Sequence, residues 1–249
     1  MHDCESIYEI PEMVRDAGLD KAVVEILNLG DRVHAEAEVK ASRQWADYVG
    51  GLRQAQQHVT IGIAGKYTSV RDSYASVIKA LEHSGAKYDT KVEIDWIDVS
   101  DMSVASCDGR LRHLDGIIVP AGFGSRGAEG KIACVNHART RKLPYLGICL
   151  GFQMAVIEYA RNVCGLAGAD STEFDADAKE PVIDILPEQK QIEGLGGNMR
   201  LGGQDVTLKA GSLASKLYNG AVEVRLRFRH RYEVDPRYVE QLEAGTHAM

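Results

Sequence analysis

A cysteine flanked by glycines is the residue of this sequence best placed for chemistry. An apolar run at 145–148 leads into Cys149, Gly147 and Gly151 lie two residues to either side of it, and a helical pattern follows. Glycines there let the backbone turn sharply and let a substrate approach, as a nucleophile at a strand-to-helix corner requires. A helix N-terminus also favours the reactive thiolate. The pattern predicts a nucleophilic cysteine, and a buried structural cysteine is the alternative.

A glycine-rich loop at 120–130 precedes this corner and follows an apolar strand pattern. It has neither the spacing of a P-loop nor that of a dinucleotide-binding fingerprint, so the sequence predicts no ATP site of those two kinds. Opposite a cysteine nucleophile, the backbone N–H groups of such a loop can hold the oxyanion of a tetrahedral intermediate. An ordinary surface loop is the alternative.

Arginines alternate with other residues near the end of the sequence, at Arg225, Arg227, Arg229 and Arg231. A period of two places them on one face of a strand, where guanidinium groups can bind a carboxylate or a phosphate. A solvated basic edge is the alternative. A cysteine nucleophile also needs a base, usually a histidine. Of the eight histidines, His230 in this segment is the best candidate, although its surroundings match no recognised catalytic motif.

Composition excludes several classes of function. The net charge of -7 argues against nucleic acid or an anionic membrane surface as the main partner. Five scattered cysteines without a C-x-x-C pair predict neither a disulfide framework nor a metal site, and they favour a reducing compartment. No apolar run approaches the roughly 20 residues that span a bilayer, and no signal peptide is evident. We therefore expect a cytoplasmic protein.

The elements that must position the cysteine alternate between strand and helix. The strand patterns lie at residues 59–65, 92–99, 114–120 and 145–148, with helical patterns ending near Gly85 and covering 129–141. This alternation predicts an α/β fold with a mostly parallel central sheet flanked by helices. Because sites gather at the carboxyl ends of parallel strands, the glycine-rich loop and Cys149 should share one edge. Beyond Arg161, glycine turns between short apolar runs predict a β-rich second half.

The N-terminal part of the chain has a different character. Residues 7–29 read as helical, with Pro11 at a helix start and a break at Gly18. Residues 30–58 are charged and glutamine-rich, which predicts a linker that is partly helical. We therefore expect a helical segment over 1–29, a linker over 30–58 and the main domain over 59–249.

Several long motifs resemble those of the class I, or triad, glutamine amidotransferases, and more narrowly those of the CTP synthase family. They lie at 119–132, 145–162, 171–174, 196–202 and 229–234. Residues 6–11 also resemble the end of that family's synthetase domain. The resemblance implies a flavodoxin-like α/β glutaminase domain and the activity of a ligase of pyrimidine biosynthesis.

The resemblance also implies a role for each matching residue. Cys149 would attack the side-chain amide of glutamine, form a glutamyl thioester and release ammonia. Gly122 and the amide of Leu150 would form the oxyanion hole. The residues expected to hold glutamine are Gly122, Leu150, Gly151, Phe152, Gln153, Glu173 and Arg231.

By the same resemblance, the ammonia would pass to UTP that a synthetase domain has activated with ATP, giving CTP. ATP and Mg are expected only on that domain, so we expect no cofactor in this chain. The expected partners are L-glutamine, the synthetase domain and further copies of the chain through that domain, with no nucleic acid and no membrane.

Three departures from the family pattern qualify these expectations. Ala121 stands where the family has a glycine, and a methyl group at a position of positive φ costs about 1 kcal/mol. Phe228 replaces a residue that is usually histidine. The family's His-Pro-Glu segment, which supplies the base and its carboxylate, is not found after the divergence that follows 238–243. We therefore expect a glutaminase domain truncated at its C-terminus, with impaired turnover.

Two alternatives stay open at this point. The chain could be a non-catalytic module that binds glutamine or assembles with a full-length synthase through residues 7–29. It could also be a different cysteine hydrolase of similar fold, although the motifs at 196–202 and 229–234 speak against that.

Overall fold

A computed structural model describes Cys4 and residues 6–66, 70–186 and 199–245. The chain divides into two compact units, residues 1–60 with 69–94 and residues 61–68 with 95–249. Part of the motif at 196–202 lies outside the described residues, as do the last residues of the chain.

The first unit is helical apart from the strand ends that it includes. Its helices are α1 (Ile10–Asp16), α2 (Leu19–Ile26), α3 (Ala35–Gln54) and α4 (Ala75–Lys87). Pro11 lies at the start of α1, where its missing N–H costs nothing, and Gly18 separates α1 from α2 with φ of 71°. The helical pattern predicted for 7–29 is confirmed.

One predicted helix end is wrong. Helix α4 continues beyond Gly85 and ends at Lys87. A Cβ on Gly85 would lie 2.4 Å from the carbonyl oxygen of Thr90. Glycine is therefore required here because the helix packs closely on the following strand, and it does not end the helix.

The central sheet contains β1 (Gln57–Gly65), β2 (Thr90–Asp98), β3 (Gly116–Val119) and β4 (Tyr145–Gly147) in the order β2-β1-β3-β4. Strand β3 is parallel to β1 and to β4, with Ile118 opposite Ile63 on one side and Leu146 on the other. The predicted parallel sheet is confirmed, and the segments that follow β3 and β4 do share one edge.

Three helices accompany this sheet in the second unit, namely α5 (Val104–Leu111), α6 (Ala128–Arg141) and α7 (Leu150–Asn162). Helix α5 has no counterpart among the predicted helices, because it is short and its start depends on a capping box between Ser103 and Ser106. Helices α6 and α7 are joined by Glu158, which is fully buried and accepts paired hydrogen bonds from Arg139.

The second half of the chain is β-rich, as predicted. Strands β5 (Ala169–Ser171), β6 (Glu180–Asp184) and β9 (Glu233–Val234) form one sheet, and β7 (Arg200–Thr207) pairs antiparallel with β8 (Glu223–His230) in a hairpin. Two helices, α8 (Leu213–Leu217) and α9 (Pro236–Gly245), complete it. Within the described ranges, no helix is long and apolar enough to cross a membrane.

Candidate active site

The predicted corner exists, and Cys149 is its strained residue. Cys149 has φ of 53° and ψ of -107° between the end of β4 and the first residue of α7. Few non-glycine residues adopt such a positive φ, and they concentrate at functional sites. This geometry turns the chain within one residue and brings the backbone N–H of Leu150, the first residue of α7, to the thiol.

The two flanking glycines are required by close packing of the backbone. A Cβ on Gly151 would lie 1.9 Å from the carbonyl oxygen of Val119, and one on Gly147 would lie 2.6 Å from the amide nitrogen of Phe152. The prediction that both positions need glycine for steric reasons is therefore confirmed. Tyr145 adds a hydrogen bond of 2.7 Å from its hydroxyl to the carbonyl of Gly151.

The thiol of Cys149 is half-buried. Burial raises its pKa above the usual cysteine value, and this outweighs the backbone N–H of Leu150, which lowers it. The nearby charge of Glu173 raises the pKa further, whereas that of Lys131 lowers it. The helix N-terminus therefore favours the thiolate as predicted, but desolvation exceeds this contribution and the net pKa of the thiol is raised.

The glycine-rich loop lies beside this corner. A Cβ on Gly122 would lie 3.3 Å from Leu150 Cδ2, so the loop packs against the first residue of α7. The N–H of Gly124 donates a hydrogen bond of 2.7 Å to Glu173 Oε1, which ties the loop to the segment after β5.

The strain predicted at Ala121 does not arise. Among the described residues, the non-glycine residues with positive φ are Asn28, Asp89, Lys142, Cys149 and Asn219. Ala121 is not one of them, so its methyl group requires no left-handed backbone and that prediction is wrong. The positive φ values of this loop belong to Gly124 and Gly127 instead.

A cavity of about 700 Å³ opens next to the thiol. One side is formed by Ala121, Cys149, Phe152 and Gln153, and the other by residues 226–230 and 232–234 of β8, β9 and their connection, so Arg231 does not line it. The cavity is large enough for a small polar metabolite.

Gln153 connects these two sides. It is buried, and its Nε2 donates a hydrogen bond of 2.7 Å to the carbonyl oxygen of Tyr232. The side-chain amide therefore fixes the chain next to Arg231 relative to the first turn of α7. Sequence reasoning placed Gln153 at the ligand and missed this supporting contact, for which a residue pattern gives no signal.

The arginine pattern is only partly as predicted. Arg225, Arg227 and Arg229 lie on the exposed face of β8, whereas Arg231 follows the end of that strand. The prediction of four arginines on one strand face is therefore wrong for Arg231, since β8 ends at His230. Arg225 pairs with the exposed Asp205, as the alternative of a solvated edge implies.

His230 lies in the cavity wall together with Glu233. Its Nε2 is 2.9 Å from Glu233 Oε1, and Arg200 donates a hydrogen bond to the other carboxylate oxygen. Burial opposes ionisation of Glu233, but His230 and Arg200 outweigh it and hold the pKa of Glu233 below its usual value. The sequence singled out His230 and missed its carboxylate, because a spacing of three residues across a strand end is not a recognised motif.

The structure brings most of the candidate residues together. Cys149 and the four residues after it form the corner and the first turn of α7, Gly122 packs on that turn, and Glu173 bonds to the loop. Among the residues described, no group of three His, Cys, Asp or Glu side chains could hold a metal ion.

Comparison with known proteins agrees with this geometry. Residues 69–248 match the family model described as glutamine amidotransferase class-I. The chain is 48% identical over 239 residues to a CTP synthase of Thermus thermophilus, covering 96% of this chain and 42% of that protein. It is 49% identical over 247 residues to a CTP synthase of Methanocaldococcus jannaschii, covering 97% and 44%.

A solved structure is also similar, the glutaminase domain of a Trypanosoma brucei CTPS with bound acivicin. The two chains are 36% identical, with a TM-score of 0.70 over 75% of this chain and 72% of the other. This chain spans less than half the length of the two curated relatives named above. On the motifs, the fold and these matches, the chain belongs to the class-I glutamine amidotransferase family, and within it to the glutaminase domains of the CTP synthase type.

Proposed function

We propose that this chain binds L-glutamine and that Cys149 attacks the side-chain amide carbon to form a glutamyl thioester. The carbonyl oxygen becomes an oxyanion in the tetrahedral intermediate, ammonia leaves with a proton, and water later cleaves the thioester to glutamate. The observation that carries the proposal is the strained corner at Cys149, which presents its thiol beside a cavity.

The oxyanion would be held by the backbone N–H groups of Gly122 and Leu150. Two facts support this assignment: the loop packs on Leu150 at Gly122, and the Leu150 amide already faces the sulfur. Each donor of this kind is worth about 3 to 4 kcal/mol of transition-state stabilisation.

Glutamine is a zwitterion, so its site needs an anion for the ammonium and donors for the carboxylate. We assign Glu173 to the ammonium and Arg231 to the carboxylate, with Leu150, Gly151, Phe152 and Gln153 contacting the rest of the molecule. Support comes from the bond between Glu173 and the loop at Gly124 and from the position of Arg231 next to Tyr232, which Gln153 holds.

The ammonia would pass to UTP activated by ATP on a synthetase domain, giving CTP. That domain, with its ATP and Mg, is the proposed partner, and assembly of several copies would occur through it. Residues 1–29 would continue from it and 30–58 would link it to the glutaminase domain from 59 onward. A cytoplasmic location stays a prediction.

Labelling by a glutamine-like electrophile tests the proposal. Acivicin should add one covalent adduct to the intact chain, and digestion should place the adduct on Cys149. Cys149→Ser should abolish labelling, and 10 mM-scale L-glutamine, roughly at or above typical KM values, should slow it. Labelling of another cysteine, or no protection by glutamine, would overturn the assignment of the site.

A non-catalytic glutamine-binding or assembly module is the second candidate, and the raised pKa of the Cys149 thiol favours it. It differs from the first in one measurable respect. A catalytic chain incubated with glutamine releases ammonia, whereas a binding module gains thermal stability from glutamine without releasing ammonia.

A further inference from the structure

Lys131 lies near Cys149, and the family resemblance gave it no role. It lies in the first turn of α6, and only 2% of its surface is exposed. Lysine is almost never buried to this degree unless its charge is compensated. Here no described residue forms a hydrogen bond or a close ion pair with its ammonium group, so what compensates the charge must be sought in the surroundings.

The surroundings of the ammonium group are the Cys149 corner and the loop at Gly122. Lys131 Nζ lies 3.3 Å from the point where a Cβ of Gly122 would be, which is also the distance from that point to Leu150 Cδ2. The ammonium group is therefore directly beside the loop residue opposite the first amide of α7. A side chain at position 122 would come within 3.3 Å of this group, so the lack of one at Gly122 leaves room for the ammonium group beside the loop.

Three charged or titratable groups act on the ammonium group. Burial, followed by the like charge of Lys66, lowers the pKa of Lys131 to about 8. Cys149 and Glu173 act in the opposite direction and favour the protonated form. In the reverse direction, Lys131 lowers the pKa of the Cys149 thiol. Interactions between charges are stronger in a buried site than in water, so this mutual effect is not screened away.

We propose that Lys131 is a positioning residue whose buried ammonium group stabilises the thiolate of Cys149 and the negative charge that forms beside Gly122. It acts through Cys149 and the loop and does not contact the substrate. The lysine and the thiol form one unit in which the charged form of each favours the charged form of the other. The effect on the thiolate does not require glutamine, because it concerns the ionisation of the thiol itself, whereas the effect beside Gly122 rests on the proposed function.

The unit predicts a particular dependence on pH. As the pH rises through about 8, the lysine begins to lose the charge that supports the thiolate, whereas the thiol, whose pKa is raised by burial, loses its proton at higher pH. The reactivity of Cys149 should therefore rise over a broader pH range than a single ionisation gives. Replacing the lysine with a neutral residue should leave one ordinary ionisation at higher pH, since the positive charge that partly offsets burial is then gone.

Alkylation by iodoacetamide, a neutral electrophile, measures this directly. The rate of adduct formation on the Cys149 peptide is followed by mass spectrometry from pH 6 to 10 in the full chain. At pH 7.5, Lys131→Met should react roughly twofold to threefold more slowly, because the charge that favours the thiolate is gone. Lys131→Arg should restore the rate, and because arginine keeps its charge, its profile should be a single steep ionisation.

Lys209→Met is the matched control, because Lys209 is an exposed lysine in the same unit. It should leave the whole profile unchanged. A Lys131→Met profile that superimposes on that of the natural chain would overturn the proposal, as would an arginine variant no faster than the methionine variant.

The test still decides in two further cases. If the methionine variant does not fold, the natural chain and the arginine variant still decide, because a single steep ionisation in both overturns the proposal. If acivicin labelling fails while the iodoacetamide profiles differ as expected, the proposed function is wrong and the role of Lys131 stands.

Discussion

The Cys149 corner and the β7–β8 hairpin both present reactive or charged side chains, but they position them differently. At the corner, backbone touches backbone: a Cβ on Gly151 would lie 1.9 Å from the carbonyl of Val119. In the hairpin, eight residue pairs from Arg200 with His230 to Thr207 with Glu223 set the register, and exposed side chains alternate with half-buried ones.

The difference shows which parts of the site tolerate change. Close packing of the backbone fixes the thiol within a small distance and leaves no room for an added methyl group. A two-stranded ladder fixes the order of side chains, while their ends stay in solvent. Substitutions of the same kind in the two regions should therefore have very different effects.

An added methyl group should separate the two regions most clearly. Gly151→Ala forces Cβ into the Val119 carbonyl and should cost about 3 kcal/mol of stability, because backbone must move on both sides. Gly203→Ala in β7 meets only the mobile end of Arg225, at 2.9 Å, and should cost less than about 1 kcal/mol. Urea unfolding measures the free energy of unfolding of both variants. Equal losses of stability would contradict the predicted difference between the two regions.

Removal of an arginine partner should give the next largest difference. Arg139→Met leaves the carboxylate of Glu158 fully buried without its cation and should cost about 3 kcal/mol. Arg225→Met in the hairpin breaks a pair whose side chains are more than half exposed, and it should cost less than about 0.5 kcal/mol. Thermal melting measures the loss of stability in both variants. A larger loss for Arg225→Met than for Arg139→Met would contradict the comparison.

Neutralising Glu173 should have the smallest effect but the most specific one. Glu173→Gln keeps an acceptor for the N–H of Gly124 and removes the charge that raises the pKa of the Cys149 thiol. The thiolate fraction at neutral pH should therefore rise, and iodoacetamide should react roughly twofold to fivefold faster. Labelling by zwitterionic acivicin should instead become slower, because the proposed anion for its ammonium is gone.

Glu180→Gln is the control for that experiment. Glu180 also accepts a backbone hydrogen bond, from Gly168, but unlike Glu173 it is not among the charges that act on the Cys149 thiol. Both rates should stay as in the natural chain. A change in the same direction for the two reagents after Glu173→Gln would contradict the proposed binding role.

Much of the corner follows from sequence because its signals are local. Gly147, Cys149 and Gly151 lie within five residues, and the strand and helix around them have clear hydrophobic periods. The same holds for the parallel sheet, since alternating strands and helices leave few other topologies. Helix α5 and the short helix α8 were missed because short helices depend on capping and packing more than on pattern.

The electrostatic properties of the site could not be predicted in this way. The first turn of a helix lowers the pKa of a thiol, but how far burial raises it depends on neighbours that are distant in sequence. Lys131 lies 18 residues before Cys149 and Glu173 lies 24 after it. No spacing rule joins these three, and only the folded chain reveals that their charges interact.

The hydrogen bond from Gln153 to Tyr232 also bears on the order of folding. Its partners are 79 residues apart in the chain, whereas Val119 and Gly151 at the corner are separated by 32. Contacts between distant residues close larger loops and form later on average. The corner should therefore be assembled while the opposite wall of the cavity is still unfolded, and a nascent chain would expose its nucleophile before its pocket exists.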